Sequence, residues 1–293
     1  YEGIKASESL IDIGQKVSPF QNRVGMRLDN SVCKVSQITL DNNGKEGLIA
    51  NSSEFNYNKS ADAITYTAGP FYPVTNFQAN GQHVNLNSSE FYPTYVSGVG
   101  TSMDTVYTRL AFSGNHEVVT RLEDSTTTQQ TVPAVELNNN SYMNAVAPRL
   151  VLIGADDGFG AANANYLQGG TVKGTAFRVV NSSKLELNGH KNDNTFVIGN
   201  SDFAKNQKTA AIYAGNNSSV KISGPTYIVQ AGVDALAEDN SVIEFGPQTK
   251  DGIIDVSGWN LEHPNNHTKV ELHSTRACLV ANRNSVINMF NLG

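Results

Sequence analysis

The sequence predicts an all-β fold, namely a parallel β-helix, a solenoid in which coils of about 20 residues stack on one another. The first observation behind this prediction is a recurring phrase: an Asn-rich corner, a Ser, and then alternating apolar and polar residues. It is clear in ANRNSVINMF (281–290) and returns at 28–35, 49–57, 86–93, 138–146, 179–187, 215–222, 237–245 and, more loosely, 265–272.

The spacing of the phrase is the second observation. Its Ser, or the Thr of the loose copy, stands at positions 31, 53, 89, 141, 183, 219, 241, 268 and 285. Four of the intervals lie between 17 and 27 residues, and the others lie near two or three times that unit. A self-similar period of roughly 20 residues is the signature of a solenoid.

The third observation is the local pattern of each coil. Period-2 alternation follows the Ser, as in Val286 to Met289, and predicts a strand with one buried face. A short apolar pair such as Ala211-Ile212 precedes it and predicts a second strand, so that two strands joined by an Asn/Ser corner form a coil. The run VQAGVDALAED has some helical character, but its VDALAED part aligns with the strand and corner of the repeat.

The repeat divides the chain into three regions. N-terminal β-helix coils are predicted for 1–60 and regular coils for 166–293, whereas 61–165 is a less regular β region. In that middle region MDTVYTRLAF and HEVVTRLED are candidate hairpin strands, inserted in the stack or packed beside it. The alternatives are a chance repeat in an Asn/Ser-rich chain and a β-sandwich with turns every 8 to 12 residues or so.

Composition excludes several classes of protein. Charged residues make up 16% of the chain, whereas 34 Asn residues supply corners, because Asn tolerates the left-handed backbone region. The net charge of −6 argues against a nucleic-acid partner, and the lack of a long apolar run argues against membrane insertion. The N-terminus, YEGIKASESL, lacks Met and a signal-like segment, so we expect a removed leader or a piece of a longer protein.

The two cysteines, Cys33 and Cys278, are expected to lie near opposite ends of the stack. A disulfide requires Cα atoms within about 7 Å, so no disulfide is predicted. A free Cys at an apolar strand position, as Cys33 is, commonly behaves as a small buried hydrophobe.

Paired carboxylates are the first candidates for chemistry, since glycoside hydrolysis needs two of them about 5 to 9.5 Å apart. Acids at equivalent positions of neighbouring coils, about 4.8 Å apart, would meet that condition. The weak catalytic candidates are Asp156, Asp157, Asp234 and Glu238, together with Asp202, Asp239, Glu244, Asp251 and Asp255. The alternative is that these acids are solvated groups of corners and outer faces.

Metal, phosphate and nucleophile motifs give little support to other chemistry. The His263, His267 and His273 spacing resembles a ligand set only in outline, and the Pro and Asn residues between the first two predict a loop. The chain has no Gly-rich phosphate loop, no GxSxG elbow and no CxxC pair. We therefore predict no metal and no cofactor.

Aromatic residues are the better candidates for binding. GPFYPV (69–74) and SEFYPT (89–94) repeat FYP at an interval of 20, which predicts positions one coil apart. Tyr72, Tyr92, Tyr95 and Trp259 are the candidate binding residues, because such rings offer rigid contact area with a polar tip. The alternative places these rings in the core or in a contact between subunits.

In its repeat style, with NNSSVKI-type corners, the chain resembles the right-handed parallel β-helices of bacteriophage tail fibres and tailspikes and, more distantly, pectate-lyase-like enzymes and bacterial adhesins. That resemblance implies a homotrimer in the virion, outside the cell, which contacts other virion proteins at its ends and binds host-surface polysaccharide. Depolymerase spikes often open with a segment like FGAKGDG, and GADDGFG (154–160) is a poor substitute for it.

Three functions are therefore expected, in this order. The first is a non-enzymatic fibre or spike protein that binds polysaccharide. The second is a polysaccharide depolymerase, either hydrolase or lyase, and the third is a segment of a bacterial surface adhesin.

Overall fold

A computed structural model describes residues 1–41, 43–57, 74–78, 82–92, 109–113, 118–123, 126–131, 133, 135–146, 149–153, 176–188, 195–199, 210–223, 226–246 and 270–289. These residues form 24 strands, of which 22 belong to one network of parallel pairings. The remaining two, β11 (Val118–Glu123) and β12 (Thr126–Thr131), form an antiparallel hairpin. The all-β class is confirmed, and the long parallel stacks are consistent with a β-helix.

The parallel strands form three columns, which we call the first, second and third faces in the order in which each turn of the chain visits them. The first face contains β1 (Glu2–Ser7), β3 (Val24–Asp29), β5 (Glu46–Asn51), β8 (Gln82–Asn87), β13 (Val135–Asn138), β16 (Phe177–Val180), β19 (Ala210–Gly215) and the second halves of β21 (Thr226–Ala237) and β23 (Val270–Ala281).

The second face follows the Ser of each turn. It contains the first halves of β2 (Leu10–Val17) and β4 (Val32–Asp41), then β6 (Glu54–Tyr57), β9 (Glu90–Tyr92), β14 (Tyr142–Val146), β17 (Lys184–Asn188), β20 (Ser219–Ser223), β22 (Val242–Phe245) and β24 (Val286–Met289).

The third face closes each turn. It contains the second halves of β2 and β4, then β7 (Val74–Gln78), β10 (Arg109–Ser113), β15 (Arg149–Ile153), β18 (Thr195–Gly199) and the first halves of β21 and β23. In β21 and β23 the chain passes from the third face to the first without leaving the strand, through shifts of register near Ala231.

One serine from each turn forms a continuous row, which we call the serine row, at the corner between the first and second faces. The backbone N–H of each serine donates to the hydroxyl oxygen of the next, at 3.0 to 3.2 Å, in eight successive bonds. Hydroxyls such as that of Ser89 also donate to the last carbonyl of their own first-face strand. The row is Ser9, Ser31, Ser53, Ser89, Ser141, Ser183, Ser218, Ser241 and Ser285.

The corner bends because the residue before each of these serines has a positive φ. The angle is 47° at Asn30 and 62° at Asn217, in the left-handed region that Asn and Gly tolerate best. The first four turns use one such residue, and the last five use two in succession, as at Asn216 and Asn217. Asn recurs at these corners because it tolerates this conformation, which Glu8, Ser52, Ser88 and Ser182 also adopt.

The core is built from residues two positions after each serine, together with alternate residues of the first face. The second-face column runs in register through seven buried side chains: Cys33, Phe55, Phe91, Met143, Leu185, Val220 and Ile243. The Phe55 and Phe91 rings meet edge to face, with centroids 5.1 Å apart. Cys33 is buried here, as predicted, and Cys278 is exposed on the strand β23 near the other end of the row.

The length of a coil was predicted wrongly. Bonded neighbours in the serine row are separated by 22, 22, 36, 52, 42, 35, 23 and 44 residues, so each long interval is one turn and not two or three. In sequence the additional residues fall between the strands of the other faces, for example at 58–73 after β6 and at 154–175 after β15, and both of these stretches are outside the described residues. The corner between the first and second faces never lengthens by more than one residue.

The Ser or Thr chosen to mark the recurring phrase was also wrong in two of its copies. Ser218 and not Ser219 occupies the serine row, because the later corners carry the second left-handed residue; Ser219 begins β20. Thr268 lies outside the described residues, and it marks no separate turn, since Ser241 bonds Ser285 directly and β22 pairs directly with β24.

The middle region contributes strands to the parallel stack and also contains the antiparallel hairpin. HEVVTRLED supplies β11 of the antiparallel hairpin, whereas the end of MDTVYTRLAF supplies β10, a strand of the third face. The serine row crosses both of the proposed boundaries, through Ser53 and Ser89 and through Ser141 and Ser183. The division at 1–60, 61–165 and 166–293 stays a prediction, as does the trimer.

Candidate functional site

The outer side of the second face carries the candidate site. Residues one and three positions after each serine point away from the core, because side chains alternate along a strand. In four neighbouring turns these positions hold two tyrosines, carboxylates, amides and a lysine. We call this group the tyrosine surface; it consists of Glu54, Asn56, Glu90, Tyr92, Tyr142, Asn144, Lys184 and Glu186.

Tyr92 and Tyr142 form the centre of this surface. Their ring centroids lie 5.8 Å apart with the planes at 82°, an edge-to-face contact between neighbouring turns. The Tyr92 hydroxyl donates to Oε2 of Glu90, 2.7 Å away. The two rings are therefore fixed by each other as well as by the strands that carry them.

Tyr142 also belongs to a polar network with the following turn. Its hydroxyl donates to Oε2 of Glu186, while Nζ of Lys184 lies 2.5 Å from the other oxygen of that carboxylate. The same Lys184 nitrogen lies 5.4 Å from the centroid of the Tyr142 ring, within cation–π range. Nδ2 of Asn144 donates to the Tyr142 hydroxyl at 2.9 Å.

These contacts shift the acidity of the three central groups. Burial, followed by the hydrogen bond to Glu186, raises the pKa of Tyr142 to about 12. Burial and the hydrogen bond to Glu90 raise the pKa of Tyr92 above its usual value. Desolvation raises the pKa of Glu186, but the bonds from Lys184 and Tyr142 outweigh it and leave a net lowering. Both phenols are held neutral and Glu186 is held ionised.

Glu54 and Glu90 are neighbours in register on β6 and β9. Oε1 of Glu54 accepts from the Asn56 side chain, and Oε2 of Glu90 accepts from Tyr92. Within the described part of the chain neither carboxylate has an ion-pair partner. Hydrogen-bond acceptors beside two fixed aromatic rings can bind the hydroxyl groups of a sugar while the rings contact its apolar carbon face.

Of the four predicted binding residues, the structure describes Tyr92, which lies on the outer side of the second face. Tyr72, Tyr95 and Trp259 lie outside the described residues. SEFYPT begins β9 on the second face, whereas the structure describes only Val74 of GPFYPV, the first residue of β7 on the third face. The residue that pairs with Tyr92 in the preceding turn is Asn56.

Two of the predicted catalytic acids are described: one lies on β21 and the other lies just after it. Asp234 is buried near the start of the first-face half of β21. Glu238 follows that strand at the corner and accepts hydrogen bonds from Tyr213 at 3.2 Å and from Asn282 at 3.3 Å. Asp156 and Asp157 lie outside the described residues, and so do Asp202, Asp251 and Asp255.

The remaining candidate acids join neighbouring turns. Asp239 binds Arg283 at 3.1 Å, and Glu244 lies 3.2 Å from Nζ of Lys221. His273 lies on β23 opposite Val229, while His263 and His267 are outside the described residues. No group of three metal-binding side chains occurs in the ranges that the structure describes.

Sequence reasoning missed Tyr142, Glu54 and Glu90. The signal was present in the recurring phrase, since the positions one and three after each serine point outward in every turn. The correct stacking order was also required, because 52 residues separate Ser89 from Ser141 and hide the fact that Tyr92 and Tyr142 are neighbours.

Comparison with known proteins gave no relatives: no family model, no curated protein and no solved structure matches the chain. Over the described residues, no helix is long and apolar enough to cross a membrane.

Proposed function

We propose that the protein is a non-enzymatic structural protein of a virion fibre or spike that binds cell-surface polysaccharide through the tyrosine surface. The observation that carries the proposal is the fixed pair of Tyr92 and Tyr142, set among acceptor groups on the outer side of a stacked sheet. Rigid aromatic groups with polar tips lose little conformational entropy on binding, which favours recognition of a polar polymer.

The repetitive architecture supports a polymeric ligand. Successive turns present polar groups at the strand spacing of about 4.8 Å, so a chain lying along the stack meets several turns. Weak contacts repeated along one chain sum to a useful affinity. The virion location, the contacts with other virion proteins and the homotrimer belong to the same proposal.

Binding is tested with surface polysaccharide from candidate host cells, immobilised on a biosensor. Tyr92→Ala should weaken binding about tenfold, the scale of an aromatic hot spot of more than about 1 kcal/mol. Tyr213→Ala is the matched control, because Tyr213 is an outward tyrosine of the first face that also bonds a glutamate. Equal affinity of wild type and Tyr92→Ala, or equal loss in both variants, would refute the assignment of this surface.

Assembly is tested separately by light scattering after size exclusion. An assembly with the mass of three chains that stays intact in SDS without boiling supports the fibre or spike. A monomer of 31.5 kDa removes that support and favours a secreted enzyme or an adhesin segment.

A depolymerase is the second candidate, and the register of Glu54 and Glu90 favours it. Carboxyl groups about 5 to 5.5 Å apart serve as nucleophile and general acid in retaining glycosidases. Release of reducing ends or unsaturated sugars, lost in both Glu54→Gln and Glu90→Gln, would establish this activity. Absence of both products across a broad polysaccharide panel would leave the binding function.

A further inference from the structure

A cleft of about 270 Å³ opens at the start of the first face, away from the tyrosine surface. It is lined by Tyr1, Glu2, Arg23, Val24, Arg27, Lys45 and Glu46. Three cations and two carboxylates give it a net positive charge, on a chain whose net charge is −6. A cationic cleft on an acidic protein is a local feature that composition does not predict.

Backbone stacking brings two of these cations together. The Lys45 N–H donates to the Arg23 carbonyl at 2.8 Å, and the Arg23 N–H donates to the Tyr1 carbonyl at 2.9 Å. The three residues therefore occupy one position in three successive turns, at a spacing of about 4.8 Å. Arg23 and Lys45 are both exposed side chains that line the same cleft.

The other charges of the cleft are partly used within the protein. Oε1 of Glu2 accepts from Nε of Arg27 at 2.6 Å, and its second oxygen lies 3.8 Å from Nζ of Lys5. Glu2 is thus engaged by Arg27 and Lys5. Among the described residues, Arg23 and Lys45 have no ion-pair partner.

We propose that this cleft binds an oxyanion, a sulfate, phosphate or carboxylate group, between the side chains of Arg23 and Lys45. Two like charges one strand apart repel each other, and an anion between them removes that repulsion. The guanidinium of Arg23 can donate two parallel hydrogen bonds to such a group, and Lys45 adds a compact charge. At about 270 Å³ the cleft is slightly smaller than the roughly 300 to 1,000 Å³ pockets that bury whole drug-sized ligands.

The test is a titration of the whole chain with sodium sulfate at constant ionic strength, followed by the NMR shifts of the Arg23 and Lys45 amides. Saturable shifts in the millimolar range are expected. Arg23→Gln and Lys45→Gln should each weaken binding about two- to fivefold, as expected for the loss of one exposed charge contact. The double variant should show no saturation.

Lys34→Gln is the matched control, since it removes one exposed positive charge on the second face. Shifts that fail to saturate in the wild type, or a double variant that binds sulfate as tightly as Lys34→Gln, would overturn the proposal. Circular dichroism of each variant verifies that the stack is intact.

Competition identifies the source of the anion. If glucuronate displaces sulfate better than acetate does, the ligand is the acid group of a saccharide. If the two displace sulfate equally, the ligand is a free anion. Both results support the cleft as an oxyanion site. Failure of both anions and of phosphate to displace sulfate would contradict a shared site. Tyr92→Ala leaves this binding unchanged, so the outcome is independent of polysaccharide binding at the tyrosine surface.

Discussion

The backbone N–H of Ser89 donates to the hydroxyl oxygen of Ser141, 3.2 Å away, although 52 residues separate them. Both side chains are buried. The bond is one of eight that hold the corner between the first and second faces. Its removal therefore tests the order in which the turns stack.

Replacing Ser141 with Ala should destabilise the protein by about 1 to 3 kcal/mol, because the buried Ser89 N–H loses its acceptor. The Asn138 carbonyl loses a donor in the same variant. Urea unfolding measures the change. Ser219→Ala, on the outer side of β20, is the control and should change the free energy of unfolding by less than about 0.5 kcal/mol. Equal effects would contradict the register of the row.

Phe91 and Tyr92 are adjacent in sequence but lie on opposite sides of the sheet. Phe91→Ala should cost about 3 to 5 kcal/mol, because it leaves a cavity beside Phe55 in the core. Tyr92→Ala removes an outward ring and should cost far less, about 1 kcal/mol. Chemical denaturation of both variants gives the comparison. A larger loss in the tyrosine variant would place Tyr92 in the core.

Cys33 should resist thiol reagents until the protein unfolds. It is buried, and burial, together with the charge of Asp12, raises the pKa of its thiol to about 12. In a Cys278→Ser variant we expect labelling by a disulfide reagent to be about a thousandfold slower than for an unfolded thiol. A Cys33→Ala variant, which retains the exposed Cys278, is the control and should react at once. Fast labelling of Cys33 would mean that the second face opens locally.

Alkaline pH should weaken the fold through Tyr142. Its pKa rises from an ordinary value near 10 to about 12 on folding, so the neutral phenol is the form that the fold favours. This contribution is complete below pH 10 or so and is lost as the pH rises towards 12. Urea unfolding of Tyr142→Phe should therefore show a shallower loss of stability over that interval than the wild type. Tyr1→Phe, at a fully exposed ring, should follow the wild type.

The local pattern of the sequence was sufficient to predict the strands, the buried positions and the corner. The Ser of LDNSVCKV and the Cys two positions later lie where the alternation predicts, one in the serine row and one in the core. The local pattern could not predict the order in which the turns stack. Two serines in GNNSSVKI fit the pattern equally well, and the choice of Ser218 depends on a second left-handed residue in the corner.

The candidate surface was partly predictable for the same reason. Tyr92 was identified from its ring chemistry and from the FYP repeat, whereas its neighbour Tyr142 is set by pairing across the long interval between two turns. The cleft at Arg23 and Lys45 shows the same dependence, since no motif joins these residues and only the stacking of turns does.

The serine corner stays constant from turn to turn, so sequence can be added or replaced elsewhere in a turn without changing it. In sequence the added residues fall between the strands of the other faces, as at 58–73 and 154–175, while the eight serine bonds keep their lengths of 3.0 to 3.2 Å. Sequence exchanged at those positions would leave the serine hydrogen bonds of each turn in place. Ligand preference could then diversify by grafting, much as antibody loops vary on a constant framework, without renewed selection for folding.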